Sequence, residues 1–271
     1  MISINPKFGQ SGYYNIPQEA NEDSSKRYYY RKKSAESAEL GWILATTASG
    51  LIYKLLPSFS NPFLKQITKE HSQNHLYKDV FQKAYESSGL KEKGLKIIHE
   101  SNPMTDVGRG LNAYFSPQSK QIVLNMEKAS ISGFHELGHA INNMKGGIGN
   151  LLQKFRKPGY TIAGLMASVA LLSRKKAKDE KRDIVDFVQD NCGKIAFVAM
   201  LPTVVEESMA SYKGIQAAKK AGLSKPLIQN LKKFYGKALL SYGGYALIAG
   251  LSVYATSKIT EKFTRPEKVE Y

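Results

Sequence analysis

The stretch Ile131-Ser-Gly-Phe-His-Glu-Leu-Gly-His-Ala-Ile141 decides how this chain is interpreted. Residues four apart in an α-helix lie on one face, so the imidazoles of His135 and His139 can reach a single metal ion. Glu136 lies about 100° round the same helix, where its carboxylate can accept a proton from an attacking water. The pattern therefore predicts a zinc-dependent hydrolase helix with Glu136 as its base.

The flanks of this motif predict that the helix is buried on the side that carries the site. An uncharged stripe runs along one face. Its members are Ile131, Phe134, Leu137, Gly138 and Ile141. Gly138 lowers helix propensity by about 1 kcal/mol relative to alanine, which is understandable where another backbone or a substrate strand packs close by. The competing interpretation is an amphipathic helix whose two histidines are hydrogen-bonded core residues.

Catalytic zinc usually has three protein ligands, so the two histidines require one more. No histidine follows His139, and the third ligand is therefore expected to be a carboxylate on a separate element. Glu206 and Glu207 are the candidates, because Ala210 and Gly214 give their segment a small-residue face for close helix packing. Either glutamate can serve on this reasoning.

Three segments of the chain carry a resemblance to a known family. Asn112-Ala-Tyr-Phe115 and an expected edge strand at 121–125 precede the His-Glu helix, and Glu207-Ser-Met-Ala-Ser211 follows it. Together these segments resemble the gluzincin peptidases, in the group that includes the CAAX prenyl endopeptidases and the membrane heat-shock endopeptidases. The second motif of that group is Glu-x-x-Ala-Asp. The resemblance covers about residues 62–218.

The resemblance implies a zincin-like domain that hydrolyses peptide bonds with one Zn²⁺ per chain. The implied metal ligands are His135, His139 and Glu207, which favours Glu207 over Glu206. Ser211 stands where the family has aspartate, so a hydroxyl replaces the carboxylate that would orient a ligand histidine.

A peptide or protein is the expected substrate. The strands near 112–115 and 121–125 are expected to bind an extended peptide by backbone pairing. An oxyanion donor is also expected. The candidates are Tyr212, Tyr235 and a basic side chain, but the chain has 16 tyrosines and this role stays unassigned.

Composition restricts the partners. The net charge is +16, with 39 Lys+Arg against 23 Asp+Glu, which suits an anionic partner such as a membrane surface or a nucleic acid. No nucleic-acid-binding motif accompanies the basic Tyr28–Lys33 cluster, so membrane lipid is the expected partner and nucleic acid is not. Cys192 is the only cysteine, which excludes an internal disulfide.

The chain divides into four predicted segments. Residues 1–37 are expected to be a disordered polar and basic tail, and 38–61 an apolar anchor or core helix. Residues 62–236 are expected to form the peptidase domain, with a hydrophobic helical hairpin inserted at about 158–205. Residues 237–271 are expected to contain a transmembrane-like helix and a basic tail, because 238–257 are uncharged and span about 30 Å as a helix.

Two further details belong to these segments. Pro202 is expected to open a helix that carries the glutamates. His71 and His75 are also four apart, but they lack an adjacent glutamate and are expected to lie on a solvated face.

The predicted fold is therefore α+β and mainly helical, with a zincin-like domain, a small sheet and appended hydrophobic helices. The predicted function is a membrane-associated zinc endopeptidase whose active site faces the cytoplasm. Two alternatives stay open: a non-catalytic membrane-surface interaction protein that zinc stabilises, and a soluble protein whose apolar runs are buried helices. The sequence does not indicate the oligomeric state.

Overall fold

The structure is a computed structural model that describes residues 13–14, 28–31, 39–40, 43–44, 76–129, 131–172, 176 and 181–270. Most of the predicted 1–37 tail and of the 38–61 anchor lies outside the described residues, as do His71 and His75.

The described chain is mainly helical and has two small sheets. The helices are α1 (Leu76–Ser87), α2 (Ile131–Met144), α3 (Ile148–Leu172), α4 (Ile184–Lys220) and α5 (Lys225–Thr264), with a short 3₁₀ helix at Met126–Lys128. The strands are β1 (Tyr13–Tyr14), β2 (Tyr28–Arg31), β3 (Lys96–His99), β4 (Ala113–Ser116), β5 (Gln121–Leu124) and β6 (Glu267–Glu270). This confirms a mainly helical chain with a small sheet.

The sheet that precedes α2 has the order β3-β5-β4. β5 pairs with β3 in parallel and with β4 antiparallel, so β5 is the central strand and β4 lies at an edge. The predicted edge position of the 121–125 segment is therefore wrong. The reason is visible in β5 itself, where Ile122, Val123 and Leu124 are consecutive buried residues, as in strands covered on both faces.

The core beside the site forms between α1, α2 and this sheet. Phe134 of α2 makes edge-to-face contacts with Tyr77 and Phe81 of α1, at ring-centroid distances of 6.3 Å and 5.6 Å. Leu137 is fully buried in the same cluster, which Leu231 of α5 joins. Four of the five residues of the apolar stripe of α2 are thus buried as predicted, and Ile141 is half-buried. This packing determines the direction in which the two histidines point.

Glycines bring α2 and α4 into backbone contact. A Cβ on Gly138 would overlap the Ala210 carbonyl, and a Cβ on Gly214 would overlap the Phe134 carbonyl. The expected close approach at Gly138 is confirmed. It places the 206–211 segment of α4 directly against the 135–139 segment of α2.

Two prolines lie inside helices and do not begin them. α3 continues through Pro158, and α4 continues through Pro202 from a start at Ile184. The helix start predicted at Pro202 is therefore wrong. Proline inside a helix costs about 3 kcal/mol because it removes a hydrogen bond and crowds the preceding turn. α3 and α4 pack closely beside both prolines, since a Cβ on Gly159 would overlap the Ala199 carbonyl.

The described residues form two compact units, and α3, α4 and α5 contribute to both. One unit contains the β3-β5-β4 sheet, α1 and α2, and lies within 76–161 and 198–248. The other contains β1, β2, β6 and the helical residues of 162–197 and 249–264. In this second unit α4 and α5 cross closely, and Gly193 and Gly250 leave no room for a Cβ.

Among the described helices, α5 is the one that is long and apolar enough to cross a membrane. Large apolar side chains on it are exposed, including Leu240, Leu247 and Leu251. The run predicted at 238–257 lies within α5, which begins at Lys225, well before the run itself.

Candidate metal centre

Three side-chain atoms from α2 and α4 converge on one point. The Nε2 atoms of His135 and His139 lie 3.0 Å apart. The Oε2 atom of Glu207 lies 3.0 Å from His135 Nε2 and 3.4 Å from His139 Nε2. All three residues belong to the unit that contains α2, and Glu207 is 2% exposed.

Glu206 lies next to Glu207 in the chain but has different partners. Its Oε1 accepts hydrogen bonds from His139 Nδ1, Asn142 Nδ2 and Gln153 Nε2, each at 2.9 Å. Burial opposes ionisation, but these donors keep the pKa of Glu206 below its usual value. An ionised carboxylate only accepts, so His139 Nδ1 carries a hydrogen, and Nε2 is the ring nitrogen that can bind a metal ion in place of a proton.

Ser211 performs the corresponding role for the other imidazole. Its Oγ lies 3.1 Å from His135 Nδ1. When His135 Nε2 binds a metal ion, this hydroxyl can accept the hydrogen on Nδ1. Both imidazoles are therefore held at their Nδ1 atoms, that of His139 by a carboxylate and that of His135 by a hydroxyl.

Arg156 of α3 connects the two glutamates. One guanidinium nitrogen lies 3.2 Å from Glu206 Oε2, and the other lies 2.7 Å from Glu207 Oε1. Burial again opposes ionisation, yet hydrogen bonds from both histidines hold the pKa of Glu207 well below its usual value. The two carboxylates therefore stay charged inside the protein.

Glu136 lies at the side of this arrangement and reaches the sheet. Its Oε2 accepts a hydrogen bond of 2.8 Å from the backbone N–H of Phe115 in the edge strand β4. Burial raises the pKa of Glu136, although the two histidines and this N–H act against the increase. A carboxylate whose pKa is raised toward neutrality is suited to accept and release a proton.

The donor set and its spacing fit a divalent metal ion. Zinc bonds to imidazole nitrogen and carboxylate oxygen are about 2.0–2.2 Å long, which places tetrahedral ligand atoms roughly 3.3 Å apart. The observed separations of 3.0, 3.0 and 3.4 Å agree with this spacing. With both imidazoles neutral, as metal binding requires, the carboxylates of Glu136, Glu206 and Glu207 exceed the guanidinium of Arg156 by two negative charges, which a divalent cation would balance. Burial opposes protonation of His139, but its hydrogen bonds to Glu206 and Glu207 outweigh this effect and raise its pKa to about 10.

The tyrosines of the site differ from those considered from sequence. Tyr212 is 63% exposed, and the Tyr235 hydroxyl donates to the Ile131 carbonyl at 2.5 Å, with its ring 5.4 Å from that of His135. Tyr242 of α5 lies close enough to Glu207, Glu136 and Arg156 to interact with them electrostatically. Sequence reasoning missed Tyr242, Arg156 and Gln153, because no spacing rule links α3 or α5 to the motif in α2.

The structure brings His135, Glu136, His139 and Glu207 together, and it places Glu206 behind His139. Comparison of the chain with protein-family models, curated proteins and solved structures finds no match.

Proposed function

We propose that this protein is a membrane-associated zinc endopeptidase with a gluzincin-type site. The observation that carries the proposal is the convergence of His135 Nε2, His139 Nε2 and Glu207 Oε2 within 3.0–3.4 Å of one another, with Glu136 alongside. Two imidazoles and one carboxylate are a usual ligand set of catalytic zinc, which keeps a further position for water or substrate.

Each residue has a defined role in the proposed reaction. His135, His139 and Glu207 would hold the ion, and Glu206 and Ser211 orient the two imidazoles. When bound, zinc would supply Lewis acidity that activates a water and polarises a peptide carbonyl. Glu136 accepts the proton of the attacking water and passes it to the leaving amine.

The edge strand β4 is the proposed docking element for substrate. β4 has β5 on one side only, and the Phe115 N–H on its other side is directed to Glu136. An extended peptide that pairs with this edge would pass beside the proposed base, because backbone pairing adds a strand at an exposed sheet edge. Recognition through backbone groups implies a loose sequence preference.

Membrane association is supported by the exposed apolar face of α5 and by the charge of α3. α3 contains Lys154, Arg156 and Lys157 but no acidic residue, and its far half is apolar. The sequence places these basic residues on one flank of the apolar half and the basic 174–182 block on the other, and both flanks favour the cytoplasmic face of a membrane, as in a hairpin that lies in the interface. We therefore propose that the active site faces the cytoplasm.

The test of the enzyme is Glu136→Gln, assayed against an unfolded protein substrate with the zinc content measured in parallel. We expect proteolysis to fall by about 10²–10⁴-fold, because general base catalysis contributes an effect of this size, while zinc binding and fold are retained. The matched control is Glu127→Gln. Glu127 is an exposed carboxylate that pairs with Lys78 at 2.8 Å, and its replacement should leave activity unchanged.

Two results would contradict this proposal in different ways. Equal proteolysis by wild type and Glu136→Gln would exclude Glu136 as the base. Tight zinc binding by a wild-type protein without turnover would favour the non-catalytic interaction protein that zinc stabilises.

A further inference from the structure

Arg156 makes contacts at the proposed metal centre that neither the motif nor the resemblance indicates. Its guanidinium bridges Glu206 and Glu207, at 3.2 Å and 2.7 Å. The side chain is about one-third exposed, whereas both carboxylates are almost fully buried. The guanidinium of Arg156, which is planar and permanently charged, therefore contacts the buried carboxylates from the solvent side of the centre.

The contact determines which oxygen of Glu207 faces the histidines. Oε1 is bound to Arg156, and Oε2 lies 3.0 Å and 3.4 Å from the two imidazole Nε2 atoms. A carboxylate without such a partner can rotate and offer both oxygens. We infer that Arg156 is a positioning residue that holds Glu207 so that Oε2 alone is presented to the metal position.

A second contact from the same helix turn supports this role. Gln153, three residues before Arg156, donates to Glu206 Oε1 at 2.9 Å and to the His139 carbonyl at 3.0 Å. One face of α3 thus holds Glu206, Glu207 and the backbone of α2 in a fixed arrangement. Arginine is suited to the bridge because its planar fork contacts two carboxylates at once, which an ammonium group does not do with the same geometry.

This inference rests on the proposed metal site but does not depend on catalysis. Two substitutions separate positioning from charge. Arg156→Lys keeps the positive charge and removes the fork, and Arg156→Gln removes the charge as well. If Arg156 acted only through its charge, Arg156→Lys would bind zinc like wild type and Arg156→Gln would bind it more tightly, because a repelling cation is gone.

The measurement is zinc affinity by competition with a chelator, with circular dichroism in EDTA to identify folded protein. We expect both variants to bind zinc about 10–100-fold more weakly than wild type, the range found when residues that orient metal ligands are replaced. The absorption spectrum of the cobalt-substituted protein should also change in both variants, because Glu207 would no longer present one fixed oxygen.

Lys157→Arg is the matched control, since it exchanges the same two residue types at the adjacent, exposed position. It should bind zinc and cobalt as wild type does. Wild-type affinity and an unchanged cobalt spectrum in a folded Arg156→Lys or Arg156→Gln variant would overturn the role of Arg156. Failure of the peptidase proposal gives a different result, namely a wild-type protein that binds zinc without cleaving peptides.

Discussion

At the scale of single residues, the two adjacent glutamates of α4 have opposite tasks. Glu207 directs one oxygen toward both imidazole Nε2 atoms. Glu206 has four donors on its two oxygens, from His139, Asn142, Gln153 and Arg156, so neither oxygen faces the point where the Nε2 atoms meet. Neighbouring positions on a helix point about 100° apart. Glu207 can therefore face the metal position while Glu206 faces the residues that orient His139.

This difference predicts unequal effects of two isosteric substitutions. Glu207→Gln should lower zinc affinity by at least about 100-fold, because it removes a charged ligand. Glu206→Gln should lower it by about 10-fold, because His139 keeps an oxygen partner while Arg156 meets an amide N–H. Metal analysis after dialysis against a graded series of chelator concentrations measures both. Loss of zinc in Glu206→Gln alone would show that Glu206 is the metal ligand and that Glu207 is not.

The site was predictable from sequence to the extent that its residues lie on a regular helix. The i, i+4 spacing places His135 and His139 on one face without knowledge of the fold. The choice of Glu207 came only from the resemblance, because both glutamates suit a helix packed alongside. Arg156 could not be found in this way, since it lies between the motifs on an apolar helix and reaches the site only through tertiary packing.

At the scale of helices, the site depends on how closely α2 and α4 approach. The backbone of Ala210 occupies the space in which a Cβ of Gly138 would lie, and that of Phe134 does the same for Gly214. Glycine thus lowers the helix propensity of both elements while permitting the contact that brings Glu207 to the histidines.

Gly138→Ala should therefore destabilise the protein although alanine favours helices. Intrinsic propensity alone would add about 1 kcal/mol of stability, whereas overpacking typically costs about 1–3 kcal/mol, and more where backbone is the obstacle. Denaturant titration should show a lower free energy of unfolding, and zinc affinity should fall with it. Gly236→Ala is the control, because this helical glycine has no atom within 4 Å of the added Cβ. It should be neutral or stabilising by about 0.5–1 kcal/mol, and equal stability of the two variants would show that the helices separate without cost.

The elements differ in how far sequence determined them. α2 was predictable because its apolar stripe has helical periodicity and packs as that stripe requires. The order of strands was not, because β5 pairs with β3 across more than twenty residues and no local signal encodes that partner. Pro202 was misleading as a start signal, since tertiary packing keeps α4 continuous through it.

At the scale of the whole molecule, the exposed apolar surface of α5 must be covered either by lipid or by other protein. α5 is 40 residues long, and its 18-residue apolar window is only 28% buried within the protein. A core helix of a soluble protein would have most of that window covered. Exposed leucines along α5 therefore favour the proposed membrane attachment over the alternative of buried helices.

Attachment through α5 can be tested at Leu247, which is 52% exposed within the apolar run of this helix. Lysine near the centre of a membrane helix costs about 2.5–3.5 kcal/mol on the insertion scale, so Leu247→Lys should shift protein from the carbonate-washed membrane fraction to the soluble or aggregated fraction. Met104→Lys is the matched control, because Met104 is an exposed apolar residue, at 86%, that lies outside the helices. It introduces the same charge and should leave the distribution unchanged. If Leu247→Lys and wild type distribute alike, α5 does not lie in lipid at this position, and the apolar face must be covered by protein.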